Sequence, residues 1–312
     1  MEIAQINKLG FGTSQIGGPT LIDGQWTGAK PVAQDDAVRI LRYAFDQGVN
    51  FFDTSDKYGL AEDFIGVAFA TDRHKICLAT KCGITDLGKR DFSISYVRGC
   101  LEKSLKRMRT DYIDIFQLAK PQVEDVNDSI LSFAEQMKKE GKIRHFGISI
   151  IDEDSYYLED QHITSLQIFY NLLFVGCHEF LKKSREQGKM VIIRSPLNSG
   201  ILSGRYTLET KFQPMDARSQ FFKGELFRER LENLEKIKTH FGLTAQEVLP
   251  FSLNFILSNP AINSVIPAAS RIEQLQQYLE IFRGMNRMSP AEVEQVVYYI
   301  QNEIYFQAKS QK

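Results

Sequence analysis

The sequence lacks the features that mark several common classes of protein. No apolar run reaches the roughly 18 residues that a transmembrane helix needs, and no apolar segment typical of a secretory signal follows Met1. The net charge of the 312 residues is only −1, so total charge gives no reason to expect binding to nucleic acid or to an anionic membrane. These absences predict a cytoplasmic protein without a membrane or nucleic-acid partner.

Metal-binding and redox motifs are also missing. The five histidines are scattered without a pair at i,i+4, and a metal site is therefore not expected. No two cysteines have the CxxC spacing of a redox or zinc motif. We expect reduced, structural thiols in a reducing compartment. The four cysteines are Cys77, Cys82, Cys100 and Cys177.

The common nucleotide-binding fingerprints are absent as well. The glycine-rich run at residues 9–18 places its third glycine wrongly for GxGxxG, and no helix is predicted to open there. No GxxxxGK[ST] segment occurs, and Ser195 does not lie in a GxSxG elbow. If a nucleotide binds to this protein, it binds without these sequence motifs.

What the chain does contain is a regular alternation of short β-rich segments with amphipathic helical segments, without repeats or domain linkers. Such alternation predicts a parallel sheet with helices outside it, and eight strands fit a closed (β/α)₈ TIM barrel better than an open sheet. We therefore expect one barrel domain over residues 1–312. The strand candidates are residues 9–13, 50–53, 76–80, 112–118, 146–149, 165–169, 190–194 and 263–266.

The second strand candidate ends in an acid, Asp53, and Tyr58 follows five residues later. Lys81 directly follows the next strand candidate, and barrel enzymes place their chemistry at these strand ends. A nearby ammonium lowers a tyrosine pKa by about 1–3 units, and a carboxylate keeps that ammonium charged and oriented. On this pattern alone, a buried Asp–Lys pair beside a packed tyrosine is the simpler interpretation.

Eight motifs, taken in order along the chain, form a recognisable series. They are residues 9–13 (LGFGT), 53–59, 79–81 (ATK), 111–118 (DYIDIFQL), 141–149, 167–173, 194–200 and 259–267. In these motifs the chain resembles the aldo-keto reductase superfamily over essentially its whole length. The resemblance implies a (β/α)₈ barrel that binds NADPH across its C-terminal face and reduces a small-molecule carbonyl compound. It assigns proton donation to Tyr58, tuning of that tyrosine to Lys81 and support of Lys81 to Asp53.

The resemblance also implies a set of cofactor contacts. Ser270 and Arg271 at a helix start suit a 2′-phosphate, which favours NADPH over NADH, although the lysine that clamps this phosphate in many members is absent. Ile150 replaces a usual asparagine, and Arg194 stands where many members stack an aromatic ring on the nicotinamide. The expected cofactor-binding residues are Gly12, Thr13, Ser149, Gln167, Arg194, Ser195, Leu197, Ser199, Gly200, Ile266, Ser270, Arg271 and Gln274.

One departure from the family pattern bears on function: Ala119 occupies the position of a histidine that orients the carbonyl. Such groups contribute about 10²–10⁴-fold to rate. Lys120 is adjacent, but neighbours on a strand face opposite ways, so it substitutes only by reaching round the strand end. Three interpretations stay open: a reductase whose substrate is oriented by other contacts, specialised redox chemistry on an enone or a sugar-derived ketone, and an NADPH-binding regulatory protein with little turnover.

We expect the substrate pocket to include Trp26, Ala119 and Lys120. Trp26 lies in a Gly/Pro-rich loop at residues 17–30 that should cover the barrel mouth beside Tyr58. The loop at residues 206–222, with Arg218, is long enough to act as a lid. Neither the substrate nor the oligomeric state has a signature in the sequence.

Overall fold

A computed structural model describes residues 5–28, 32–150, 153–284 and 286–304, and ten strands lie within them. In chain order the strands are β1 (Phe11–Gly12), β2 (Thr20–Ile22), β3 (Gln25–Thr27), β4 (Phe51–Asp53), β5 (Cys77–Cys82), β6 (Ile113–Ala119), β7 (Ile143–Ser149), β8 (Ser165–Phe169), β9 (Met190–Arg194) and β10 (Ser264–Val265). Eight of these described strands form a parallel sheet in the order β1-β4-β5-β6-β7-β8-β9-β10.

The sheet curls so that its first and last strands meet. Parallel bridges join Leu9 to Val265 and Gly12 to Ala268, and the amide of Gly10 donates to the carbonyl of Val265 at 2.9 Å. The result is a (β/α)₈ barrel, and the fold predicted from the sequence is confirmed.

Helices follow the strands and surround the barrel. Those in the described residues are α1 (Gln34–Asp46), α2 (Ala61–Ala68), α3 (Ile94–Arg107), α4 (Asp128–Lys139), α5 (Tyr156–Glu159), α6 (His178–Glu186), α7 (Arg218–Phe221), α8 (Gly224–Phe241), α9 (Val248–Ser258), α10 (Ile272–Gly284) and α11 (Pro290–Glu303). Helix α11 shows why such segments start where they do. Ser289 caps the amide of Glu292, the Glu292 carboxylate caps the amide of Ser289, and Pro290 fits the first turn.

Residues that alternate along the strands divide between two apolar clusters. A small cluster includes Phe51, Ala79 and Ile115, whereas their neighbours Phe52 and Phe116 belong to the large one. This division is what a barrel requires, with a packed interior and an outer layer of helices. The polar site described below begins where the strands end.

The first loop differs from the sequence prediction, which gave residues 17–30 no regular structure. Strands β2 and β3 form an antiparallel hairpin that pairs Leu21 with Trp26 and Ile22 with Gln25. Asp23 and Gly24 at its tip have φ of 48° and 70°, the positive values of a tight hairpin turn. The Asp23-Gly24 pair, which follows Leu21-Ile22 and precedes Gln25-Trp26, was the sequence signal for this hairpin. Residues 29 and 30 of the loop lie outside the described residues.

Among the described helices, none combines the length and the apolar character that crossing a membrane requires.

A buried carboxylate joins three segments below the site. Asp114 on β6 is 1% exposed. It accepts from Arg73 Nη2 at 2.6 Å, from Arg144 Nη1 at 2.9 Å and from the amide of Leu78 at 2.9 Å. Breaking a buried ion pair from one side is costly because the remaining charge loses its partner.

We expect Asp114→Ala to lower the free energy of unfolding by about 3–5 kcal/mol, because the Arg73 guanidinium loses its buried counter-charge. Urea denaturation measures this change. Asp111→Ala, three residues earlier and exposed, is the matched control and should change stability by about 0.5 kcal/mol or less. Equal effects of the two substitutions would contradict this interpretation of Asp114.

Candidate active site

The parallel register brings the predicted polar residues together at the carboxyl ends of the strands. Asp53 pairs with Ala79 two residues before Lys81, Ala119 pairs with Ser149, and Ser149 pairs with Gln167. Because parallel strands all end at one rim of the barrel, residues far apart in sequence become neighbours there.

Asp53 and Lys81 form a buried ion pair at this rim. Lys81 Nζ donates to Asp53 Oδ1 at 2.7 Å and to the carbonyl of Thr54 at 2.9 Å. Burial lowers the pKa of Lys81, but the charges of Asp53 and Tyr58 raise it by more, so that its pKa lies above the usual value. Lys81 is therefore an ammonium ion at neutral pH.

Two side-chain amides complete the hydrogen bonding of the Asp53 carboxylate. Gln167 Nε2 donates to Asp53 Oδ2 at 2.7 Å, and Gln117 Nε2 lies 3.3 Å from the same oxygen. Ser149 Oγ in turn donates to Gln167 Oε1 at 3.1 Å. Ser149 and Gln167, two of the expected cofactor-binding residues, are thus connected through hydrogen bonds to the Asp53–Lys81 pair.

Tyr58 lies beside this pair, with Lys81 Nζ 4.9 Å from the centroid of its ring. Its loop is held by a close backbone approach to the first loop of the chain. The amide of Leu60 donates to the carbonyl of Gly17 at 2.9 Å, and a Cβ added to Gly17 would lie 1.7 Å from the carbonyl oxygen of Tyr58. Only glycine fits at position 17, and this contact holds the backbone of Tyr58 against the first loop.

A cavity of about 1050 Å³ opens above these residues and brings most of the predicted site together. The predicted residues that line it are Asp53, Tyr58, Lys81, Gly12, Ser149, Arg194, Ser195, Leu197, Ser199, Gly200, Ile266, Ser270, Arg271, Gln274, Ala119 and Lys120. Thr13 and Gln167 are fully buried beneath the cavity, where both bond to Asp53.

Trp26 is not among the residues that line this cavity, so the structure does not bring it together with the other predicted pocket residues. The hairpin contributes Ile22, Asp23 and Gln25 instead. Ile22 and Gln25 are cross-strand partners, whereas Trp26 pairs with Leu21. Because successive residues on a strand face opposite sides, Trp26 lies on the other face of the ribbon.

Lys120 faces the cavity together with Ala119, contrary to the alternation expected for a strand. Strand β6 ends at Ala119, and Lys120 has φ of 57°, in the left-handed region that non-glycine residues rarely adopt. Its amide still donates to the carbonyl of Ser149 at 2.8 Å. Such a conformation costs about 1–3 kcal/mol and tends to occur at functional sites.

Arg194 ends β9 and is the predicted substitute for an aromatic ring. Its Nη2 donates to the carbonyl of Ile150 at 3.2 Å, and its guanidinium lies 5.2 Å from the centroid of the Phe169 ring. Its Nε is buried without a hydrogen-bond partner. Burial lowers the pKa of Arg194 from its ordinary value, and the group stays a cation at neutral pH.

The loop after β9 is built from left-handed residues. Ser195, Asn198, Ser199 and Gly200 have φ of 52°, 46°, 52° and 99°. Turns of this kind direct successive amides to one side and are suited to bind anions. Across the loop, Ser270 and Arg271 immediately precede α10, and the amide of Ser270 donates to Gln274 Oε1 at 3.0 Å.

Three further residues that line the cavity were given no role from the sequence: Asp56, Arg90 and Arg205. Tyr206 and Phe221, which belong to the predicted lid loop at residues 206–222, line it too. Arg218, predicted only as part of a lid, is fixed by Asp216 at 2.5 Å and by the Tyr206 hydroxyl at 2.9 Å. The amide of Ala217 donates to the carbonyl of Gly28 at 3.1 Å, which connects this segment to the hairpin loop.

The histidines, scattered in the sequence, include one that the fold places beside acids. Ligand atoms of His178, Glu179 and Glu294 lie within 4.8 Å of one another, outside the cavity. Lys182 pairs with both carboxylates, at 3.0 Å and 2.7 Å. These contacts make the cluster an ion-pair network between α6 and α11.

A closed parallel barrel with an Asp–Lys pair and a tyrosine at its strand ends defines a class of (β/α)₈ oxidoreductase. The chain belongs to the aldo/keto reductase family, whose family model matches residues 8–298. Members of this family bind nicotinamide cofactors and act on small-molecule carbonyl compounds. The family and the enzyme class predicted from the sequence are confirmed.

Individual relatives support this assignment. The chain is 31% identical over 289 residues to the uncharacterized oxidoreductase YqkF of Bacillus subtilis, covering 87% of this chain and 90% of YqkF. It is 26% identical over 297 residues to an NADH-specific methylglyoxal reductase of Escherichia coli, with 87% and 88% covered. The holo form of the aldo-keto reductase AKR11C1 from Bacillus halodurans superposes with a TM-score of 0.76 at 28% identity, with 97% and 95% covered.

Asp56, in the cavity wall, provides a test by pH. Burial raises the pKa of Asp56 to about 6, while an unfolded aspartate titrates near pH 4. Between these values the folded state binds more protons, so this carboxyl lowers stability as pH rises. We expect the stability of Asp56→Asn relative to the wild type to grow from about pH 4 to about pH 7, by about 1–3 kcal/mol.

Urea denaturation across this pH range measures the difference. Asp23→Asn removes an exposed carboxylate at the same cavity and serves as the control. A stability difference between Asp56→Asn and the wild type that stays constant with pH would contradict the expected protonation of Asp56.

Proposed function

We propose that this protein reduces the carbonyl group of a small molecule with NADPH as the hydride donor and Tyr58 as the proton donor. The observation that carries the proposal is the buried Asp53–Lys81 pair, which keeps an ammonium ion beside the Tyr58 ring at the floor of a large cavity. A tyrosine in this setting is suited to act as a general acid at neutral pH.

The chemistry divides between the cofactor and the chain. A bound NADPH would supply the hydride that the carbonyl carbon accepts, which would leave the electrons of the C=O π bond on the oxygen. Tyr58 delivers its hydroxyl proton to that oxygen and regains a proton from solvent. The Lys81 ammonium stabilises the phenolate formed in between, while Asp53 holds Lys81 charged and in place.

Features of the cavity fit such a cofactor. The lining contains eight Lys or Arg residues and three Asp residues, although the whole chain has a net charge of −1. A dinucleotide brings two or more phosphate groups, which such a lining would attract. The loop from Ser195 to Gly200, four of whose residues are left-handed, offers backbone amides suited to the pyrophosphate. Arg194 Nε has no hydrogen-bond partner and could donate to a bound cofactor.

The preference for NADPH rests on the far side of the same cavity. Arg271 precedes α10, and Arg205 is placed near the same helix by a contact of 3.1 Å with Gln277 Oε1. Cations at a helix start are suited to a 2′-phosphate. A relative that is NADH-specific shows that this choice varies within the family, so the coenzyme has to be tested directly.

We expect Tyr58→Phe to lower turnover by about 10²–10⁴-fold, because the general acid is lost while the ring is kept. NADPH oxidation, followed by its absorbance with a panel of aldehydes, ketones, quinones and enones, measures turnover. Quenching of NADPH fluorescence should show unchanged cofactor binding. Tyr298→Phe, at an exposed tyrosine, is the control.

Full activity of Tyr58→Phe would refute Tyr58 as the proton donor. Tight NADPH binding by the wild type without turnover of any compound in the panel would refute the reductase proposal, and would favour a cofactor-binding regulatory protein.

We expect Arg271→Ala to weaken NADPH binding by about 10–100-fold and to leave NADH binding nearly unchanged, because one charge-assisted contact to the 2′-phosphate is lost. Fluorescence titration with both coenzymes gives the two dissociation constants. Arg228→Ala removes an exposed arginine that does not line the cavity and should affect neither. Equal weakening of NADPH and NADH by Arg271→Ala would place Arg271 elsewhere on the cofactor.

A further inference from the structure

The cavity carries cations on the side opposite the loops that suit the cofactor phosphates. Arg90 forms a β-bridge with Ile84 just after β5, and Lys120 directly follows β6. In the order of the eight barrel strands, β5 lies across from β9 and β6 lies across from β10. Phosphate-binding loops after β9 and β10 therefore leave Arg90 and Lys120 on the other side of the barrel mouth.

No carboxylate neutralises these side chains among the described residues. The charges that act most on Lys120 are those of Arg194 and Arg90, and burial together with these two cations lowers the pKa of its ammonium. Lys120 is nevertheless open to solvent through the cavity. Like charges gathered around a cavity are unfavourable unless a ligand supplies the opposite charge.

Lys120 faces the cavity because its backbone adopts a conformation that is unfavourable for a non-glycine residue. Its φ of 57° is the left-handed conformation, and the following Pro121 restricts it further. In an extended conformation the side chain would alternate away from Ala119. Lys120, the small Ala119 side chain and the Asp53–Lys81 pair all line this one cavity.

We propose that the substrate carries an acidic group, a carboxylate or a phosphate, which Lys120 and Arg90 bind across the cavity from the cofactor phosphates. This inference rests on the proposed carbonyl reduction and names its substrate class. The acidic group is not changed in the reaction. It anchors one end of the substrate so that the carbonyl is oriented toward Tyr58 without a histidine at position 119.

The test compares aldehydes that differ in charge. One pair is 4-formylbenzoate and its methyl ester, and the other is 4-formylphenyl phosphate and 4-methoxybenzaldehyde. We expect kcat/KM to favour the anion of at least one pair by about 10–100-fold, the range for hydrogen bonds to charged groups. The pair with the larger preference distinguishes carboxylate from phosphate. Higher salt should reduce the preference.

Variants assign the preference to Lys120. Lys120→Met should lose about 10–100-fold on the anion and little on its neutral partner, while Lys120→Arg should keep most of the preference. The KM for NADPH should stay unchanged. Lys89→Met removes a nearby exposed lysine that does not line the cavity and is the matched control. A preference that survives in both Lys120→Met and Arg90→Met would overturn the proposal.

Calorimetry separates this inference from the proposed function. If no aldehyde is turned over, the reductase proposal fails, but binding of 4-formylbenzoate to protein with NADP⁺ still reports on the anion site. Binding that weakens about tenfold or more in Lys120→Met would support the site. Equal binding and equal turnover of 4-formylbenzoate and its methyl ester, together with equal results for the phosphate pair, would overturn it.

Discussion

The ion pair between Asp53 and Lys81 is the constraint on which the site depends. A buried charge is tolerated only with a partner and with its remaining hydrogen bonds satisfied. Here those bonds come from Gln117 and Gln167, so the carboxylate draws on β4, β5, β6 and β8 at once. A slip in the register of any of these strands would break the network, and the polar site and the barrel register therefore specify each other.

The sequence predicted the architecture well because barrel strands are buried on both faces and read as short apolar runs between amphipathic helices. The sequence did not predict the elements that are too short to show an apolar run or a helical period. Helices α5 and α7 have four residues each, too few for a helical period to show. Strands β2 and β3 have three residues each, and the Asp23-Gly24 turn was their only sequence signal.

The site was predictable where it lies at strand ends and less so in the loops. The family resemblance named Asp53, Lys81, Ser149 and Gln167, and the parallel register of the strands brings these four residues together. Arg90 reaches the cavity through a loop whose path no local pattern encodes. The positive charge of the cavity could not be predicted from composition either. The net charge of the chain is −1, yet eight Lys and Arg residues line this one cavity.

The contact between Gly17 and the backbone of Tyr58 has a consequence for how this protein can change over evolution. Neither loop can gain a side chain or shift at that point without moving the tyrosine. Within this first loop, substitutions that leave the tyrosine in place are therefore expected in the hairpin beyond Gly18, whose Ile22 and Gln25 line the cavity. Side-chain changes at the hairpin tip would alter the cavity wall without moving the backbone that holds the phenol.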